Sequence, residues 1–241
     1  MGEEFCWEEL SPSLFICVSN AHKFGTDAFL LSDFAAPRRK DLCCDLGTGC
    51  GIIPLLWFRD DPPRLCYGAD IQKQAIEQLE QSIQKNGLKN RFIPLLTDLK
   101  ELSSLPCGPL DLVTCNPPYK AQGSGILSET DAERIARHEV LCTIEDVCQA
   151  ASRLLRFGGR LCLCQRPERL CDTLCAMRSA GIEPKRVRFV QQRPASAPWL
   201  FLVEGKKGSK PYMTVEPPLL VEGEGGFSQE ILRIYHKKEN L

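Results

Sequence analysis

No Cys-x-x-Cys pair occurs anywhere in the chain, although it holds fourteen cysteines. Most of them sit inside apolar strand or helix patterns, such as Cys43, Cys44, Cys115, Cys162 and Cys164. That placement argues against a zinc site or a disulfide framework. Buried Cys behaves as a small hydrophobe, and these are read that way. Cys171 and Cys175, four residues apart on a predicted helix, are the exception to that pattern. Long apolar runs are lacking as well, so no transmembrane helix and no membrane partner are expected. The acidic start, MGEEFCWEEL, has neither the basic nor the apolar region of a signal peptide, and a cytoplasmic protein is expected. Internal repeats and low-complexity tracts are absent. Net charge is close to zero, formally −1, while 43% of the 241 residues are hydrophobic, so a substantial core can be buried. The expected organisation is a lead-in over residues 1–40, covering a binding site, followed by one globular unit over 41–241.

The charge is unevenly spread along the chain. Between Arg153 and Lys210 there are thirteen Lys or Arg against Glu168, Asp172, Glu183 and Glu204. One reading is solvated helix faces and loops. The other is a side that faces phosphates.

The stretch LDLVTCNPPY, residues 110–119, carries most information about chemistry. It reads as a strand, 110–115, stopped by two prolines. Proline has a fixed φ and no N–H, and it forces the residue before it into an extended conformation. Asn116 is therefore held extended at the carboxyl end of a strand, where open α/β sheets bind ligands. An exocyclic amine on adenine is a poor nucleophile, because its lone pair is delocalised into the ring. Two acceptors set against its N–H bonds would pull the nitrogen toward tetrahedral. The Asn116 side-chain oxygen and the Pro117 carbonyl are candidates for that pair. Tyr119 is a candidate to stack on the base, worth about 1–3 kcal/mol.

Upstream, a strand over 41–46 runs into Asp45-Leu46-Gly47-Thr48-Gly49-Cys50-Gly51, and a helix is predicted from Ile52. Strand, glycine turn and helix form a nucleotide-binding arrangement, in which glycines admit a ligand close to the backbone. The spacing is not the Gly-x-Gly-x-x-Gly of nicotinamide enzymes, so a dehydrogenase is disfavoured. A second strand, 64–69, closes at Asp70, about twenty residues past the turn, where a carboxylate can accept from both hydroxyls of a ribose. Capping of a helix over 72–86 is the alternative role for Asp70. Ile71 would pack on an adenine face. A third strand, 91–96, ends at Thr97-Asp98-Leu99. Before all of these, residues 13–19 suggest a short strand, and Thr26 or Asp27 a helix N-cap. Later, Thr143 and Asp146 suggest a capping box, Gly158-Gly159 a turn into a strand over 160–164, and two strands near 185–191 and 199–204 an antiparallel hairpin.

Two of these motifs resemble known ones. Asp45–Gly51 resembles the first motif of class I S-adenosylmethionine-dependent methyltransferases, and Asn116-Pro117-Pro118-Tyr119 resembles the fourth motif of their amino-methylating branch. Across residues 14–235 the chain resembles the bacterial family that methylates adenine N6 in the anticodon loop of valine tRNA. The Phe24-Gly25-Thr26-Asp27-Ala28, Arg137-His138-Glu139 and Val215-Glu216-Pro217-Pro218 segments carry the finer likeness. Cys50 stands where Thr or Asn is commoner. The resemblance implies an α/β, Rossmann-like fold: a seven-stranded, mostly parallel sheet with helices on both faces and an antiparallel last strand. It implies S-adenosylmethionine as cofactor, RNA and above all tRNA as partner, and no metal. It also implies catalytic roles for Asn116, Pro117 and Tyr119. Cofactor contacts would come from Thr26, Asp27, Asp45, Gly47, Gly49, Gly51, Asp70, Ile71, Asp98 and Leu99, with Asp98 accepting from the cofactor's adenine amine. Pro118, Arg137 and His138 would face the substrate, under a loop over residues 120–132. Methylation of a protein glutamine amide or of a ribosomal RNA guanine stays open as an alternative. So does a non-catalytic module that binds S-adenosylmethionine or RNA. The glutamine enzymes usually carry an extra helical N-terminal domain, and about forty residues precede the glycine turn here.

Overall fold

The structure is a computed structural model that describes residues 5–19, 24–117 and 142–235. Its core is a sheet built on β3 (Leu42–Leu46), β4 (Leu65–Asp70), β5 (Phe92–Leu96), β6 (Leu110–Cys115), β7 (Leu155–Gln165), β8 (Ile182–Gln191) and β9 (Pro198–Lys207). The spatial order is β8-β9-β7-β6-β3-β4-β5. From β7 to β5 every pairing is parallel, and β9 runs antiparallel between β7 and β8. This is the predicted mostly parallel sheet with a late antiparallel hairpin. Two short strands, β10 (Thr214–Val215) and β11 (Leu219–Leu220), pair in parallel with β8 and widen the sheet to nine strands. The seven-strand expectation undercounts here because two-residue strands leave no alternation to read.

Central parallel strands are covered on both faces, so they read as continuous apolar runs. Cys43 packs with the cluster that holds α1 (Thr26–Ala35), α2 (Ile52–Arg59), α3 (Lys73–Lys85) and α6 (Gln229–Tyr235). Its neighbour Cys44 packs on the opposite side with α4 (Ile144–Leu154) and α5 (Leu170–Ser179). Both thiols are fully buried and serve as small apolar spacers. No disulfide is formed by any described cysteine. Helix α3 places Ala75, Ile76, Leu79 and Ile83 on its buried face. Helix α4 starts at the predicted capping box: the Asp146 N–H donates to Thr143 Oγ1, and the Thr143 N–H donates to Asp146 Oδ2.

Several local expectations are corrected. The N-cap of α1 is Gly25, not Thr26 or Asp27, and the Asp27 side chain is used elsewhere. The cap of α3 is Gln72, and Asp70, two residues before it, accepts from the Gln72 N–H. Gly158 and Gly159 lie within β7, which begins where α4 ends. A Cβ at Gly159 would sit 2.8 Å from the Leu110 carbonyl oxygen, so this glycine permits close strand packing rather than a turn. A hairpin of β1 (Cys6–Ser11) and β2 (Leu14–Val18) precedes α1. Asn86 fixes β2 to the end of α3 by exchanging two hydrogen bonds with the Phe15 backbone.

Candidate active site

Parallel register brings the carboxyl ends of the central strands to one edge: Leu46 lies opposite both Ala69 and Cys115, and Asp70 opposite Leu96. The glycine turn leaves this edge from Leu46. The N–H groups of Gly47 and Thr48 donate to the Ala69 carbonyl, at 2.8 and 3.0 Å, which folds the turn against the end of β4. Gly47, Gly49 and Gly51 all have positive φ, of 67°, 55° and 86°. Their surroundings differ. A Cβ at Gly47 or Gly49 would meet open space, whereas one at Gly51 would lie 2.5 Å from Leu79 Cδ1. Gly51 therefore faces the core rather than the open side with which it was grouped. Its N–H is also spent on the Thr48 carbonyl, at 2.9 Å.

Two carboxylates bracket the turn. Asp70 Oδ2 accepts from the Gly49 N–H and Oδ1 from the Gln72 N–H, both at 2.9 Å. Asp45 lies beneath, on β3, with Oδ1 accepting from the Thr114 hydroxyl at 2.6 Å. Burial pushes the Asp45 carboxyl up to about 7, and the Asp70 charge pushes the same way, while the Thr114 and Thr48 hydroxyls pull against both. Asp45 Oδ2 and Thr48 Oγ1 are buried with no hydrogen-bond partner among the described residues; Thr48 lies near enough to favour the ionised carboxyl without completing a bond. An unpartnered buried carboxylate oxygen beneath an open glycine turn fits a ligand that carries an ammonium group. Ile71, 47% exposed, offers an apolar face beside Asp70. Asp98 accepts from the Lys100 N–H at 2.9 Å, and Arg153 of α4 ties its loop down through the carbonyls of Leu99, Lys100 and Leu102.

Asn116 leaves the end of β6 next to this turn, with Pro117 buried behind it. Its amide is held from two sides. Nδ2 donates to Asp27 Oδ2 at 3.2 Å, and Oδ1 accepts from the Cys164 thiol at 3.1 Å. Helix α1 is fixed in turn by α6, since Tyr235 Oη donates to Thr26 Oγ1 at 2.9 Å and the Tyr235 ring meets Phe29 edge-on at 4.8 Å. Thr26, Asp27, Asp45, Gly47, Gly49, Asp70, Ile71 and Asn116 are thus brought to one edge. Pro118, Tyr119, Arg137, His138 and the 120–132 loop lie outside the described residues. Sequence reasoning missed Cys164, which it read as one more core hydrophobe, and the pairing of Asp27 with Asn116, for which no local pattern exists.

The basic run is partly paired within the fold. Most of its arginines meet carboxylates supplied by the fold: Arg156 with Asp111, Arg160 with Glu204 and Asp41, Arg186 with Glu204 and Glu216, Arg188 with Glu230, and Arg193 with Glu222. Lys207 is taken up by the carbonyls of Ser152 and Leu155. Five carboxylates from outside the run, Asp41, Asp111, Glu216, Glu222 and Glu230, thus offset part of its excess charge.

Among the described residues, no helix is long and apolar enough to cross a membrane. The model of the methyltransferase small domain family matches residues 20–177. Curated relatives named tRNA1(Val) (adenine(37)-N6)-methyltransferase include one from Parabacteroides distasonis, 29% identical over 185 residues that make up 76% of each chain. Another, from Tolumonas auensis, is 28% identical over 218 residues, 89% of this chain and 88% of the relative. In fold, the chain is similar to the crystal structure of a predicted O-methyltransferase, Atu636 from Agrobacterium tumefaciens. The TM-score is 0.69 at 21% identity, with 89% of this chain and 100% of that one covered.

Proposed function

The chain belongs to the methyltransferase small domain family and uses S-adenosylmethionine; from that premise we propose that its acceptor is the exocyclic N6 amine of an adenine in RNA, in the anticodon loop of a tRNA. One observation carries this reading: Asn116 directly follows the end of β6, beside the glycine turn, with its amide held by Asp27 and Cys164. A planar amine has two N–H bonds to place. The Asn116 side-chain oxygen and the Pro117 carbonyl are the two acceptors. Accepting from both N–H bonds localises the nitrogen lone pair and aims it. No strong base is needed, because the amine proton becomes acidic once the new N–C bond has formed.

When bound, S-adenosylmethionine supplies an electrophilic methyl group. The residues that would hold it are the open Gly47 and Gly49 backbone, the Asp45 oxygen left without a partner, the Asp70 carboxylate, Ile71, and Asp98 with Leu99. Gly51 sets the turn from the core side. Tyr119 would stack on the flipped base, with Pro118, Arg137 and His138 on the substrate side. The lead-in over 1–40 and the unit over 41–241 work together, since Asp27 comes from the first and Asn116 from the second. The setting is the cytoplasm, where tRNA is found. The relatives' printed names favour tRNA over ribosomal RNA or protein.

The test is incubation of the protein with labelled S-adenosylmethionine and total tRNA from its own source, followed by nucleoside mapping. N6-methyladenosine is the expected product. Label in protein and none in RNA would transfer the reading to a glutamine amide.

A further inference from the structure

We propose that Asp27 is a positioning residue that sets the side-chain amide of Asn116 for transfer, and does not hold the cofactor. The inference rests on the amine-methylation reading above. An amide can be turned end for end about its terminal bond, which would exchange an acceptor for a donor at the reacting position. Two of its neighbours favour the same orientation. An ionised carboxylate only accepts, so Asp27 Oδ2, 3.2 Å away, selects the Nδ2 end. The Cys164 thiol donates, so at 3.1 Å it selects the Oδ1 end. Both contacts therefore fix the same orientation from opposite sides, and the acceptor oxygen keeps its place.

The geometry around Asp27 suits that role. Its other oxygen, Oδ1, accepts from the Ala28 N–H at 3.0 Å, which locks the side chain at the first turn of α1. The adjacent Thr26 hydroxyl is engaged by Tyr235, so the start of α1 is anchored by a separate contact. Asp27 and Asn116 are 89 residues apart, and the contact joins the lead-in to the central sheet. Removing the carboxylate takes away the contact that selects the Nδ2 end and loosens the hold on the amide. Misorienting a reacting group costs rate, about 100-fold for a displacement near 1 Å, without weakening the cofactor site.

The experiment compares Asp27→Ala and Asp27→Asn with the wild-type full chain. Labelled S-adenosylmethionine is used with total tRNA, and cofactor affinity is measured separately by calorimetry. For Asp27→Ala, kcat falls by roughly 10–100-fold while the dissociation constant of S-adenosylmethionine holds. Asp27→Asn, whose side-chain oxygen can still accept from Nδ2, recovers most of the loss. Weaker cofactor binding with kcat intact at saturation overturns the proposal, as does unchanged kcat. If the wild type labels protein instead of RNA, the same comparison is run on that acceptor. The RNA reading then fails, while the positioning role is still decided by the kcat split. A further readout needs no turnover. In protein labelled with ¹⁵N asparagine, the Asn116 side-chain NH2 signal shifts in Asp27→Ala and stays near its wild-type position in Asp27→Asn. No shift in either overturns the proposal.

Discussion

Asp70 and Gly49 are tied directly: the Asp70 carboxylate takes the Gly49 N–H at 2.9 Å, across 21 residues of sequence. The contact closes the glycine turn onto the end of β4 and leaves the carboxylate at the rim of the proposed cofactor site. Asp70→Ala removes the acceptor and releases the turn. A lost hydrogen bond to a charged group is worth about 1.5–3 kcal/mol, which predicts S-adenosylmethionine binding weakened roughly 10–100-fold. Calorimetry checks it, with thermal denaturation of the apo form as the control for folding.

The glycines of the turn are predicted to separate by role. Gly51→Ala combines a φ of 86° with a Cβ 2.5 Å from Leu79, and is expected to cost about 3 kcal/mol of stability. Gly49→Ala meets only the backbone term, about 1–2 kcal/mol, because its Cβ enters open space. That open space is where the proposed cofactor site lies. Gly49→Ala should therefore lose cofactor affinity out of proportion to its lost stability. Urea denaturation and calorimetry on the two variants separate the effects.

Asp45 gives a pH dependence. Its folded-state carboxyl is raised from 3.8 to about 7, so the native state holds the proton more tightly than the unfolded chain. Stability from this group is present below the unfolded value and is lost as pH rises toward 7, at up to about 1.4 kcal/mol per pH unit. Asp45→Asn keeps an acceptor for Thr114 and removes the titration. The stability difference between variant and wild type should grow in the variant's favour from pH 4 to pH 7. Denaturation at a series of pH values measures it; a flat difference would contradict the assignment.

Glu204 is predicted to be a structural hub. It accepts from Arg160 and Arg186 at 3.0–3.3 Å in a half-buried setting. Glu204→Ala leaves two guanidinium groups without their shared partner, and a loss of about 3 kcal/mol is expected. Cofactor affinity measured at low temperature should be unchanged, because β7 and β6 lie between β9 and the strand that carries the glycine turn.

The sequence exposed what depends on short-range pattern. The glycine turn, the strand halted at Pro117, the capping box at Thr143 and the late hairpin each leave a local signature, and each stands in the structure. Hairpin strand β1 was not legible because its residues are all exposed or half-exposed, so no alternation records it. The start of β7 was masked by Gly158, whose φ is 77°, and by Gly159, which packs closely on Leu110, at a place where the β6–β7 register shifts. The pairing of the basic run was not legible because ion pairs form in space: Asp41, Asp111, Glu216, Glu222 and Glu230 all lie outside it in sequence. The grip on Asn116 was invisible for the same reason. Asp27 and Cys164 are ordinary residues for a helix start and a buried strand, and only the fold brings them to one amide.

The most direct measurement is methyl transfer by Asn116→Ala, using labelled S-adenosylmethionine and total tRNA. Removing a preorganised hydrogen-bonding group at a reacting centre typically costs about 100–1,000-fold in rate. The account predicts a loss of that size, with cofactor affinity and thermal stability close to wild type. Transfer to tRNA at a near wild-type rate would contradict it.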